Sequence, residues 1–206
     1  MPVLDHLVLA SPHPLVTRAE IAEHTGVVLS AGGAHVGRGT RNWLGRLGPD
    51  QYLELIGPDP EQPKPPGPRP FGVDDVTDAT LVTWCARDDD LDDLRARAAV
   101  AGIRLGAPFA MERDAPAGRL RWRLSLPEFD TEGGIIPFFI DWRDSAHPSD
   151  TSIDGLSVVT FGAEHPDPGT VLTILDKLSV GLRVTEGPAA RLVATLRGPA
   201  GDLHLG

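Results

Sequence analysis

His6 and Glu54 are the residues of this 206-residue chain best suited to chemistry. His6 opens the apolar run Leu7-Val8-Leu9-Ala10, and side-chain alternation along a strand puts it on the same face as Val8. Glu54 stands alone in Tyr52-Leu53-Glu54-Leu55-Ile56, a second strand-like stretch. If both strands share one sheet, both groups look into one cavity. An imidazole and a carboxylate suit Zn²⁺, Mn²⁺, Fe²⁺ or Ni²⁺, and such an ion would polarise a substrate oxygen and stabilise an enolate or oxyanion. The other reading is a hydrogen-bonded pair that forms the polar end of a ligand pocket, with no tightly held metal.

Two further groups carry polar chemistry. His35, Arg38, Thr40 and Asn42 follow Gly32-Gly33, whose backbone lets a ligand approach closely. Thr40, Asn42 and Leu44 share one face by alternation, with Trp43 and Leu47 on the other. His35, Thr40 and Asn42 are therefore candidate ligand-binding residues, against the reading of a solvated hairpin. Arg119, Arg121 and Arg123 alternate with Leu120, Trp122 and Leu124. Arg121 and Arg123 are candidates to bind a carboxylate or phosphate, with Trp122 beside them, provided that face lines the cavity. Cys85 lies in an apolar stretch and reads as a buried structural thiol. The chain has no phosphate-binding Gly-Lys-Ser loop, no paired-cysteine zinc motif and no nucleophile elbow.

Composition bounds the partners. Apolar residues make up 41% and charged residues 23%, as in a soluble globular chain. A net charge of −10 speaks against a nucleic-acid partner, which requires a basic face. No apolar run has the length of a membrane span, and the start Met1-Pro2-Val3-Leu4-Asp5 lacks the pattern of a signal peptide. The expected location is the cytoplasm and the expected partner a small molecule, with no membrane. The single cysteine permits no internal disulfide.

The elements that would position these residues recur. A strand over Leu4–Ala10 is followed by a helix from Leu15 to Thr25 with Leu15, Ala19 and Ala22 on one face, then by strands after Gly26, over 41–47 and over 52–56. Of residues 57–70, seven of fourteen are proline, which cannot pair into a sheet. A second round has a strand over 79–86, a helix to Ala101 with Leu91, Leu94 and Ala98 inward, and strands over 118–126 and 135–142. A third has a strand over 155–161, a helix with Val171, Leu175 and Leu178 inward, and strands over 190–196 and 203–205. Gly26-Val27-Val28-Leu29, Gly102-Ile103-Arg104-Leu105 and Gly181-Leu182-Arg183-Val184 leave the three helices 76 and 79 residues apart. The expected divisions are a first βαβββ unit over 1–57, a proline-rich linker over 58–73, a second βαβββ unit over 74–146 and a shortened third βαββ unit over 147–206, with units one and two packed as one domain. An open edge on the third unit would invite pairing with a second copy as a homodimer.

This arrangement resembles the vicinal oxygen chelate superfamily of glyoxalases, bleomycin-resistance proteins and dioxygenases, and within it the glyoxalase-like branch. The likeness rests on Leu4–Ala10, on residues 32–42, on Tyr52-Leu53-Glu54-Leu55-Ile56-Gly57-Pro58-Asp59-Pro60, and on Pro137-Phe138-Phe139-Ile140-Asp141-Trp142. It implies an α+β fold in which tandem βαβββ units form a curved, cup-like mixed sheet with helices outside and a metal in the cup. It also implies His6, Glu54 and Asp141 as metal ligands, with Glu54 catalytic. The first position of the second unit is Leu81, which cannot ligate, and Asp141 depends on register. His204 falls near the Glu54 position of the third unit. The implied activities are a metal-dependent lyase, isomerase or dioxygenase acting on a small oxygen-bearing metabolite, or alternatively non-catalytic sequestration of a drug or metabolite.

Overall fold

The computed structural model describes residues 1–115 and 118–206. Its first five elements are β1 (Val3–Ala10), α1 (Pro14–Thr25), β2 (Ser30–His35), β3 (Thr40–Gly48) and β4 (Gln51–Pro58). The second round is β5 (Thr80–Arg87), α2 (Leu91–Val100), β6 (Phe109–Ala115), β7 (Gly118–Ser125) and β8 (Phe138–Asp141). These eight strands form one mixed sheet in the order β2-β3-β4-β1-β5-β8-β7-β6. The two halves meet where β1 pairs antiparallel with β5, and within each half the first strand pairs parallel with the fourth. The sheet curls until its end strands approach: Arg113 on β6 donates from Nη1 to the Gly32 carbonyl on β2 at 2.6 Å.

Local signals account for the helix ends. Pro14 begins α1, where its missing N–H is no loss, and Gly26 ends it at φ 76° with its N–H on the Ala22 carbonyl. Asp90 caps α2 by accepting the Asp93 N–H, and Asp167 caps α3 (Pro168–Lys177) by accepting that of Thr170. Leu91, Leu94 and Ala98 of α2 are buried as expected, as are Val171, Leu175 and Leu178 beside α3. The inward face of α1 differs from the expectation: Thr17, Ile21 and Thr25 are buried while Leu15 is exposed. The hydroxyls of Thr17 and Thr25 bond Ser11 and the Ile21 carbonyl, which lets polar side chains take an inner face.

Three more elements differ from the sequence expectation. Residues 32–40, a glycine-rich stretch expected from the sequence as a flexible loop, are a strand as far as His35, because β2 pairs antiparallel with β3 and only residues 36–39 turn. The charged stretch Phe109–Ala115 forms β6, an additional strand that closes the sheet end. The third round gains β10 (Arg183–Glu186) between β9 (Ser157–His165) and β11 (Arg191–Arg197), with β12 (Asp202–Leu205) last. It thus has the βαβββ element order but pairs differently, as a separate four-stranded sheet β10-β9-β11-β12. Its first strand pairs parallel with its second, β10, and not with its fourth.

Alternation divides the large sheet into two faces. Leu7, Leu9, Leu53, Leu55, Trp84 and Phe139 point to the convex side and share a core with the helices and with Leu192, Ala194 and Leu196 of the small sheet. Burying each such side chain contributes roughly 1.5–3 kcal/mol. Trp84 satisfies its indole N–H on the Ile135 carbonyl at 2.8 Å. Val8, Ala10, Leu44, Tyr52, Phe138 and Ile140 point to the concave side. Among the described residues no helix is long and apolar enough to cross a membrane.

Candidate functional site

The concave face encloses a cavity of about 550 Å³. Its polar groups lie at one end. β1 and β4 are adjacent and parallel, with His6 opposite Tyr52 and Val8 opposite Glu54, so His6 and Glu54 are diagonal neighbours on one face. His6 Nε2 stands 3.6 Å from Glu54 Oε2. Asn42 on β3 donates from Nδ2 to Glu54 Oε1 at 2.7 Å, and His35 Nε2 is 3.8 Å from the same oxygen. The side-chain oxygen of Asn42, Oδ1, is buried without a hydrogen-bond partner among the described residues. It lies over Gly32, where an added Cβ would sit 2.2 Å from it. Asn42 therefore holds its place only because residue 32 has no side chain.

Beneath His6 is a second polar layer. Asp5 is fully buried and accepts from His6 Nδ1 at 2.6 Å, Trp142 Nε1 at 2.9 Å and His147 Nε2 at 3.1 Å. The β1–β5 ladder is irregular between Leu4 and His6, which lets the Asp5 carboxylate turn under the imidazole. A carboxylate only accepts, so Asp5 fixes the hydrogen of His6 on Nδ1 and turns Nε2 to Glu54 and the cavity. Burial alone would raise the Asp5 carboxyl, but hydrogen bonds from His147 and His6 overcome it and hold the group well below the usual carboxylate range. Tyr52 stacks on the His6 ring with centroids 4.5 Å apart. Burial, with the charges of Asp5 and Glu54, pushes the Tyr52 hydroxyl well above its ordinary value and keeps it a neutral phenol. His35 bonds Thr40 Oγ1 through Nδ1 at 3.0 Å, and burial lowers its pKa despite the opposing charge of Glu54.

The remaining wall is apolar and comes largely from β7, β8 and the proline-rich segment. Trp122, Leu124, Phe138 and Ile140 line it, joined by Phe71. Phe71 adopts a left-handed backbone at φ 58°, and its ring lies 5.4 Å from that of Phe138. Arg69 fastens this segment over the cavity by donating to the Gly39 carbonyl at 2.9 Å.

A sequence model described as the glyoxalase-like domain matches residues 4–179. The chain belongs to the glyoxalase-like domain family. This places it in the vicinal oxygen chelate superfamily, whose cup-like sheet the fold reproduces. Among solved structures, this glyoxalase-like protein is similar to a hypothetical protein from Staphylococcus aureus at 18% identity and TM-score 0.65, over all of this chain and 85% of that one. It also matches the methylmalonyl-CoA epimerase of Mycobacterium tuberculosis at 18% identity and TM-score 0.46, over 69% of this chain and 88% of that one. A hypothetical protein from Bacillus halodurans matches at 11% identity and TM-score 0.49, over 70% and 97% respectively. No curated protein matches the sequence significantly.

Several expected site residues of this glyoxalase-like protein come together and others do not. His6, Glu54, His35, Asn42 and Trp122 line the cavity, while Thr40 is buried behind His35. Asp141, expected as a ligand, lies on the other face. The inward positions of β8 are Phe138 and Ile140, and Asp141 pairs with Arg123 at 3.1 Å and Arg143 at 3.5 Å. Arg121 and Arg123 are likewise not in the cavity, because Trp122 and Leu124 take the inward parity of β7. Arg123 pairs with Asp92 and Asp141, and Arg121 with Glu112. His204 bonds Thr195 on the edge of the small sheet. Sequence reasoning missed Asp5, Tyr52, Phe71, Trp142 and His147. Tyr52 had a signal, being two residues before Glu54 and so on its face, and Asp5 had one as the acid next to His6. Phe71 and His147 had none, since each is brought in by a loop.

A resident divalent ion needs more donors than one strand pair supplies. His6, His35 and Glu54 turn ligand atoms to the cavity, but Asn42 Nδ2 already occupies Glu54 Oε1 and lies 3.3 Å from His35 Nε2, and the facing positions on the second half are Val82, Thr83, Phe138 and Ile140. A catalytic metal site uses three protein ligands. Among the described residues, the one triple whose ligand atoms all lie within 4.8 Å of one another is Asp5, His6 and Cys85, all buried. There the Asp5 oxygens are already filled by three N–H donors. Burial, with the charges of Asp5 and Glu54, pushes the Cys85 thiol well above its ordinary value and keeps it protonated. This triple fits a hydrogen-bonded support for His6 better than a cradle for an ion.

Proposed function

We propose that this protein binds a small oxygen-bearing molecule in the cavity, with the oxygen function against His6 and Glu54. The observation that carries the reading is the segregation of the wall: His6, His35, Asn42 and Glu54 gather at one end of a cavity of about 550 Å³, with Trp122, Leu124, Phe138, Ile140 and Phe71 on the remaining wall, a size suited to a metabolite or drug. The chemistry this supports is proton transfer next to a carbonyl, as in a lyase or isomerase. Glu54 takes the proton of the C–H bond, the electron pair moves to the carbonyl oxygen, and His6 donates to the resulting enolate in its doubly protonated form, with Nδ1–H kept on Asp5 and Nε2–H turned to the cavity. Asp5 orients His6 for this, and Asn42 orients Glu54.

Sequestration without reaction is a second reading, favoured by the apolar second half, which brings Val82, Phe138 and Ile140 to face His6 and Glu54. Incubation with bound carbonyl ligands in D₂O separates the two. For an enzyme, proton NMR shows deuterium entering next to the carbonyl, and Glu54→Gln slows this by about 10²-fold or more while binding persists. If ligands bind and none exchanges, the protein sequesters.

A further inference from the structure

Two guanidiniums line the cavity, Arg38 from its exposed side, and no carboxylate lies within ion-pair distance of either among the described residues. Arg38 is exposed on the turn after β2, with its backbone N–H on the His35 carbonyl at 2.9 Å. Arg113 is half-buried on β6 and spends one N–H on the Gly32 carbonyl. Both line the main cavity, and both line an adjoining groove of about 400 Å³ that shares His35, Met111 and Trp122 with it. Other arginines nearby are paired: Arg41 has Asp59 at 3.8 Å and Glu61 at 3.5 Å, and Arg69 has Asp74. Glu112, the acid in the groove, is taken by Arg119 and Arg121. In a chain with 29 acidic and 19 basic residues, cations are the scarcer charge. Two left without an acid beside a cavity are placed to receive one from a ligand. Below them the wall turns apolar, through Trp122, Phe138 and Phe71.

We propose that the cavity takes a small organic anion, its carboxylate or phosphate held by Arg38 and Arg113 and its apolar body against Trp122 and Phe138. This rests on the reading of the cavity as a small-molecule site and names the class of molecule. The guanidinium fork suits either head group, since both present paired oxygens. The two arginines thus take the role expected of Arg121 and Arg123.

The test is calorimetric titration of the full chain, at low salt, with three probes of one body: 2-naphthylacetate, 2-naphthylmethyl phosphate and the neutral 2-naphthylacetamide. An anion is expected to bind at least about tenfold tighter than the amide, and the tighter of the two anions assigns the head group. Arg38→Gln should reduce that preference, and Arg38→Gln/Arg113→Gln should bring it close to one. Arg113 also tethers β6 to β2, so the single Arg38→Gln variant, at an exposed turn position, keeps the result readable if the double variant folds poorly. Equal binding of anion and amide by the wild type, or a preference untouched by Arg38→Gln, overturns the anion site and leaves the cavity reading standing. If none of the three probes binds, the cavity reading and the anion site fall together.

Discussion

Replacing Asp5 by alanine should lower the stability of the protein by about 3–5 kcal/mol, the scale for opening a buried, fully used charge network. At this size that is a fall in Tm of roughly 6–20 °C. The carboxylate is fully buried and answers three N–H donors, from His6, Trp142 and His147. Alanine would leave all three in the interior without an acceptor, each at a cost of about 1–3 kcal/mol before relaxation. Urea unfolding at neutral pH measures the loss, and one under about 1 kcal/mol would show that water replaces the carboxylate. The pH dependence follows from the depressed pKa of Asp5. A carboxyl lowered by folding stabilises above its unfolded pKa and loses that contribution as pH falls through the folded one. Wild-type stability should therefore decline below about pH 4, with a slope from this group of up to about 1.4 kcal/mol per pH unit. Asp5→Asn should lack that component of the acid limb.

The second large effect is expected from Gly32→Ala. An alanine Cβ would stand 2.2 Å from Asn42 Oδ1 and 3.0 Å from Asn42 Cγ and Leu44 Cγ. The first distance is far inside van der Waals contact, so the Asn42 amide must leave, and with it the hydrogen bond to Glu54 Oε1. Overpacking of this kind costs about 1–3 kcal/mol. The consequence at the site is larger than the loss of stability. Glu54 would lose its amide donor while His6 and Asp5 stay in place, so ligand affinity or turnover should fall at least about tenfold, on the scale of a lost hydrogen bond to a charged group. Asn42→Ala removes the atoms the added Cβ meets most closely, so a Gly32→Ala/Asn42→Ala double variant should regain stability by making room. It should not recover binding, because the amide that holds Glu54 is gone. Recovery of both would show that Asn42 only fills space.

The sequence made the first half of the site legible because parity along two regular strands decides it. Alternation puts His6 with Val8 and Tyr52 with Glu54, and the parallel pairing of β1 and β4 keeps those faces together. The repeat likewise announced the two βαβββ rounds of the large sheet. Parity failed where its phase was unknown. On β8 a shift of one residue decides whether Ile140 or Asp141 faces in, and on β7 whether Trp122 or Arg123 does. The apolar partner wins in both, because an inward charge would face a largely apolar wall, whereas outward it meets counter-charges such as Asp92. Contacts made by irregular backbone were not legible. Phe71 enters the cavity through a left-handed turn in a segment that reads as a spacer, and His147 reaches Asp5 across 142 positions of sequence. The third round shows a further limit: its element order follows the other two, yet β10 inserts beside β9 and gives a separate sheet, so homology of position between His204 and Glu54 does not hold in space.

Ligand-linked stabilisation of the wild type, set beside a variant with the cavity filled, tests the central claim most directly. Ile140 lines the wall, so Ile140→Trp would occupy the space a ligand needs. Thermal unfolding of both proteins is followed against a panel of oxygen-bearing metabolites and antibiotics. At 100 times its dissociation constant, a ligand of the cavity should add about 2.7 kcal/mol to the wild type, or roughly 5–10 °C in Tm, and nothing to Ile140→Trp. A panel that leaves the wild type flat, or a shift of equal size in the filled variant, would contradict the account.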